Sequence, residues 1–158
     1  MIIQSKKVWV ANNFNPLQIE IENEKIVAVY PYGTKEVDHD YGSLRVLPGF
    51  IDIHSHGAYG FDTNDGKEEG LRNWIKRLPA DEGVTSFLPT TITQSVEVLS
   101  NAVANVAKVV RDGYEGANVL GINFEGPYLD MKYKGAQPEE HILPTSVEQF
   151  KMYQDKAD

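Results

Sequence analysis

The sequence of 158 residues contains no cysteine. That absence excludes a disulfide framework and any thiolate metal site, and it suits a reducing cytoplasm. No apolar run approaches the roughly 20 residues needed to span a bilayer, so no membrane partner is expected. The N-terminal stretch MIIQSKKVWVANN has a basic pair but no long apolar segment after it, and so does not read as a signal peptide. Basic residues are in the minority. With 15 Lys and Arg against 23 Asp and Glu, the net charge is −8 and no nucleic-acid partner is expected. A small anionic ligand is still allowed, because a few local donors override the global field. There is no internal repeat and no low-complexity segment. What is left is an ordinary globular composition, 41% hydrophobic and 24% charged, and a length sufficient for one domain with a core.

Residues 1–47 read as β structure. IIQSKKVWV is a strand candidate, and LQIEIENEKIVAVYP alternates apolar and polar on each side of Glu22–Lys25, as a hairpin should. GTKEVDHDYG reads as a polar loop, and SLRVLPGF leads out of it.

The texture changes at Pro48. GFIDIH is apolar enough for a buried strand. LRNWIKRL places Leu71, Trp74, Ile75 and Leu78 at helical spacing, with Asp65 and Glu68 as its expected cap. GVTSFLPTTI is a second strand, opened by Gly83. In TQSVEVLSNAVANVAKVVRDG, Val96, Leu99, Val103, Val106 and Val110 step by three and four, and Gly113 stands at the C-cap position. ANVLGINFEG is a third buried strand. Thr145 and Glu148 predict a capping box for a last helix carrying Val147, Phe150 and Tyr153. The order β-α-β-α-β-loop-α implies parallel strands with helices outside. Three such strands cannot close a (β/α)8 barrel, which takes about 250 residues. The expectation is either a small open α/β sheet or the front part of a longer protein.

The chemistry concentrates in LPGFIDIHSHGAYGFD, residues 47–62. Residues two apart in a strand face the same way, so His54 and His56 project together at a strand's C-terminal end. That end is where α/β folds place their sites. Neutral imidazole suits zinc, iron, nickel and copper. Asp52 shares that face; it either bonds a ligand histidine or caps a backbone group. Glu125 ends the third strand at the same rim, where a carboxylate completes a two-histidine metal set or simply meets solvent. Gly126 and Pro127 turn the chain directly after it. The loop YLDMKYKGAQPEEHI is long for a βα connection, and such loops usually carry function. Lys132 and Lys134 are candidates to attract an anionic substrate, and Gly135, Ala136 and Gln137 to contact one. Thr90, Thr91 and Asp62 are weaker pocket candidates. His39 and His141 read as exposed or structural.

PGFIDIHSHGAYGFD, GVTSFLPTTIT and GINFEGPYLDMKYKGAQPEEHI, taken together and in order, resemble the N-acetylglucosamine-6-phosphate deacetylases of the amidohydrolase superfamily. The first motif marks the superfamily; FEGPYL with KGAQ narrows it to the deacetylases. The resemblance implies a small β domain (1–47) followed by the first three βα units (48–158) of a TIM-like metal-dependent hydrolase barrel, incomplete in this chain. It implies that His54, His56 and Glu125 hold a divalent metal, zinc or iron, as one ion or two. Ala136 and Gln137 match a substrate-contacting pair. Many members have His where this chain has Gln137, which can hydrogen-bond a sugar or phosphate but cannot become a cation. The implied substrate is a phosphorylated amino sugar, and the complete enzyme is expected to be a cytoplasmic homodimer. The family's remaining metal histidines, phosphate-binding residues and catalytic aspartate come from later strands, so no catalytic residue is assigned here and the chain alone is expected to be inactive. Two other readings stand beside this one: another amidohydrolase, such as a dihydroorotase-like enzyme, and a catalytically silent fragment.

Overall fold

Two-residue turns shape the first part of the chain. In the computed structural model, which describes residues 1–157, the chain divides into two compact units, Met1–Pro48 and Gly49–Asp158. In the first unit β1 (Ile2–Val10) pairs antiparallel with β2 (Asn13–Glu22), and β2 with β3 (Lys25–Pro31). Ala11 and Asn12 turn the first hairpin at positive φ, and Asn23 and Glu24 turn the second. Paired positive-φ residues make the turn whose twist matches a hairpin. The expected polar loop is not wholly irregular. It contributes β4 (His39–Asp40), and β5 (Arg45–Val46) follows; both run parallel to β1. The interior is partly polar. Val8 and Ile19 are buried beside Gln4, Ser5 and Gln18. Gln18 donates to Gln4 Oε1 at 2.8 Å and Gln4 to Asp40 Oδ2 at 2.9 Å, so the buried amides are satisfied.

The second unit is a parallel sheet with helices packed on it. β9 (Val84–Thr91) is its centre. β6 (Phe50–Ser55) runs along one edge of β9, and β10 (Asn118–Val119) and β11 (Asn123–Phe124) along the other. A short antiparallel pair, β7 (Gly57–Ala58) and β8 (Phe61–Asp62), follows β6. α1 (Glu68–Asp81) buries Leu71, Trp74, Ile75 and Leu78, the four residues its periodicity selects. They pack with Phe87 of β9 and with Val106 and Val109 of α2 (Val96–Asp112). Trp74 meets Phe87 edge-on, with ring centroids 4.7 Å apart. α3 (Val147–Ala157) joins Tyr153 to Leu99 and Val103 in a second, smaller cluster. Among the described residues no helix is long and apolar enough to cross a membrane.

Several local expectations are corrected. β6 forms but is not buried: Phe50, Ile51 and Ile53 are exposed, Ile53 by 66%. Among the described residues only β9 pairs with this strand, and more than half of the surface of each of those residues stays open. The third strand is broken into β10 and β11 by Leu120–Ile122, and Leu120 is exposed. Asp65 does not cap α1. It accepts the Asp62 N–H in a capping box around the 3-10 turn Thr63–Asp65, while α1 has Lys67 at its N-cap position and no side-chain cap. Glu68 instead binds Arg72 and Lys108. On α2 Val109 is buried and Val110 exposed, because the helix faces both α1 and α3. Gly113 does stand at its C-cap. α3 is capped by Ser146, whose Oγ accepts the Gln149 N–H at 3.2 Å, rather than by Thr145 and Glu148. Of its three expected apolar contacts only Tyr153 is buried; Val147 and Phe150 are exposed.

Candidate metal centre

Parallel strands bring their C-terminal ends to one rim, and three potential ligands meet there. His54 lies in the last turn of the pleat of β6 and His56 just beyond it; Glu125 directly follows β11. His54 Nε2 is 2.6 Å from Glu125 Oε2, and His56 Nε2 is 2.9 Å from the same oxygen. The two Nε2 atoms are 3.3 Å apart. Two donors each about 2.1 Å from one ion lie about 3.0 Å apart at right angles and about 3.4 Å at the tetrahedral angle. The triangle of 2.6, 2.9 and 3.3 Å therefore has the size of one face of a metal's coordination shell. These three residues form a possible metal site. The donor set fits a divalent ion: two neutral imidazoles and one carboxylate supply borderline ligands and one negative charge.

The electrostatics agree. Burial pushes the Glu125 carboxyl up, but the hydrogen bond from His54 and the positive charge the two imidazoles carry when protonated pull harder, and it lies below the usual carboxylate range. Glu125 is thus ready as an anion. Metal and proton compete for such ligand atoms, because a ligand must be deprotonated to bind. His54 is half exposed, which leaves the centre open to solvent.

The surrounding residues hold this arrangement. The Glu125 N–H donates to the Thr91 carbonyl at 3.2 Å, tying the ligand's backbone to the end of β9. Asp52 takes the backbone alternative: its Oδ1 accepts the His54 N–H at 3.0 Å. Thr90 is fully buried, and its hydroxyl accepts the Ser55 N–H, so it fastens β6 to β9 rather than lining a pocket. The Thr63 N–H and hydroxyl both donate to the His56 carbonyl at 2.8 Å, and Asp62 caps the turn containing Thr63. His56 Nδ1 is buried with no partner among the described residues.

Gln137 is brought to the centre and Ala136, beside it, is exposed. Gln137 is buried, donating from Nε2 to Glu125 Oε1 at 2.8 Å and accepting the Thr93 N–H on Oε1 at 2.8 Å. Residue typing alone missed Thr93; its signal, a threonine two beyond a strand end, is too common to single it out. Lys134 is turned inward. It reaches the Gly135 and Gln137 carbonyls and pairs with Glu139. Lys132 lies over the Tyr133 ring. His39 falls in the first unit, exposed, and His141 ends a 3-10 turn.

A parallel α/β sheet with a His-x-His pair and a glutamate converging at its C-terminal rim defines an α/β fold with a candidate metal centre at the end where such folds place their sites. Residues 45–157 match the Amidohydrolase family, and the chain belongs to that family. It is 45% identical over 130 residues to an N-acetylglucosamine-6-phosphate deacetylase of Bacillus subtilis, covering 80% of this chain and 32% of that protein. It is 40% identical over 131 residues to the deacetylase of Vibrio furnissii, covering 82% of this chain and 33% of that protein. In fold it resembles a mutant N-acetyl-D-glucosamine-6-phosphate deacetylase of Mycobacterium smegmatis, solved in complex with N-acetyl-D-glucosamine-6-phosphate. The TM-score is 0.88 at 24% identity, covering 99% of this chain and 40% of that one. The chain spans about a third of the length of these curated relatives.

Proposed function

We propose that this chain is the metal-holding N-terminal portion of a deacetylase that converts N-acetylglucosamine 6-phosphate to glucosamine 6-phosphate and acetate. The convergence of His54, His56 and Glu125 on one point carries this reading, supported by the resemblance to named deacetylases. Residues 1–47 are then the first part of a small β domain. β6, β9 and the broken strand β10–β11 are the first three strands of a (β/α)8 barrel. The exposed apolar side chains of β6 favour that assignment, because a barrel strand is covered on both faces.

A divalent metal, zinc or iron, as one ion or two, supplies Lewis-acid chemistry, acidifying water and polarising a carbonyl oxygen. His54 and His56 present Nε2, and Glu125 presents Oε2 together with the compensating charge. Ala136 and Gln137 border the substrate on the loop after Glu125. None of these groups is the general acid–base. That role, with recognition of the phosphate, belongs to the part of the relatives' length outside the match. The complete enzyme is a homodimer.

Acetate release from N-acetylglucosamine 6-phosphate, with added zinc or iron, tests this reading. The expected result is no turnover from these 158 residues alone. Turnover is expected once they are joined to the remaining two-thirds of the Bacillus subtilis relative, and its loss on His54→Ala with Glu125→Ala. Full turnover by the joined protein despite both substitutions would refute the assignment of the metal ligands.

A further inference from the structure

Glu125 has two carboxylate oxygens, and they are used differently. Oε2 faces both imidazoles; Oε1 faces Gln137. The Gln137 amide has one possible orientation. Its oxygen accepts the Thr93 N–H and its nitrogen donates to Glu125. The flipped amide would set donor against donor at Thr93 and acceptor against acceptor at Glu125. Both ends of the amide are therefore engaged within the chain, and Gln137 is only 8% exposed.

The supports of this amide are themselves fixed. The Gln137 N–H donates to the Lys134 carbonyl at 3.2 Å, and Lys134 Nζ donates back to the Gln137 carbonyl at 3.2 Å. Thr93 is fully buried two residues beyond β9. Gly126, next to Glu125, lies so close to Thr93 that an added Cβ would come within 1.9 Å of its hydroxyl oxygen. The chain thus closes a ring from Thr91 through Glu125 and Gln137 to Thr93, back on the end of the same strand.

We propose that Gln137 is a positioning residue for the metal centre: by holding Oε1 of Glu125, it fixes the orientation of the carboxylate and so which oxygen it presents to the ion between His54 and His56. The inference rests on the assignment of His54, His56 and Glu125 as ligands. It gives Gln137 a role through Glu125, distinct from direct contact with a sugar. Partners that orient a metal's ligands typically change metal affinity 10- to 100-fold when removed.

Cobalt(II) alone is the probe, added to the full chain and followed by its visible absorption, which reports both affinity and ligand geometry. The unaltered chain should bind cobalt, and Glu125→Ala should weaken that binding. Gln137→Leu should weaken it 10- to 100-fold and alter the absorption bands. In a Glu125→Ala background the same Gln137→Leu change should alter affinity less than twofold, because the group it orients is gone. Circular dichroism of the metal-free variants checks folding. If Gln137→Leu does not fold, Gln137→Asn replaces it: the shortened side chain stays polar but falls about 1.5 Å short of bridging both partners. Equal losses with and without Glu125, or no loss with Glu125 present, would overturn the positioning role while leaving the ligand assignment standing. Cobalt binding indifferent to both His54→Ala and Glu125→Ala would overturn the ligand assignment and this inference with it.

Discussion

Replacing Phe87 by Ala tests how the second unit is held together. Phe87 is fully buried in the middle of β9, and its ring lies edge-on to Trp74, also fully buried, with centroids 4.7 Å apart. Truncating a buried Phe costs about 3–5 kcal/mol, through lost burial and an unfilled cavity. The position favours the upper part of that range, because an aromatic pair contributes about 0.5–1.5 kcal/mol beyond its area. Small proteins show a urea dependence of about 2 kcal/mol per M, so the midpoint should fall by about 2 M. Trp74 provides the signal. It is fully buried whereas Trp9 is partly exposed, so the emission shift on unfolding is dominated by Trp74. Phe87→Leu keeps most of the volume and should cost less than about 1.5 kcal/mol. If Phe87→Ala moves the midpoint by less than about 0.5 M, α1 is not docked on β9 through this pair and the packing argument is wrong.

Other outcomes follow from the same contacts. Gly113 ends α2 at φ 79° and ψ 152° with open space beside it, so Gly113→Ala should cost only its backbone strain, about 1–3 kcal/mol. Gly116 has φ 127° and an added Cβ would lie 2.2 Å from the Ile75 carbonyl oxygen, so Gly116→Ala should be clearly the worse of the two; matching urea midpoints would refute this. Zinc at 100 times its dissociation constant should stabilise the chain by about 2.7 kcal/mol, and His56→Ala should abolish the effect in a thermal melt. Lys108 bonds both Glu68 and Asp112, and these bonds are the main cause holding both carboxyls below their usual range. The stability they contribute is present above the unfolded pKa values, about 4.3 for Glu and 3.9 for Asp, and is lost as pH falls through the lower folded values. Lys108→Met should therefore flatten the acid limb of stability against pH; an unchanged limb would show that the network is not coupled to folding.

Local periodicity determined a great deal here. The step of three and four chose the buried face of α1 without error, because that helix meets the rest of its unit through a single stripe. The two-residue period of a strand put His54 and His56 on one side, and the end of an apolar run put Glu125 at a strand terminus. Periodicity failed where the neighbours decide. GFIDIH has the composition of a buried strand, but burial depends on what packs against β6, and among the described residues only β9 pairs with it. Val109 rather than Val110 is buried because α2 faces two helices. Residue type made Gln137 a candidate contact, since an amide can both donate and accept. Only the folded chain directs those two capacities, one to Thr93, 44 residues earlier, and one to Glu125, 12 residues earlier. Spacing along the chain determines which face a side chain occupies. Which atoms it then meets depends on strand register and loop closure, and these bring together residues that no local pattern relates.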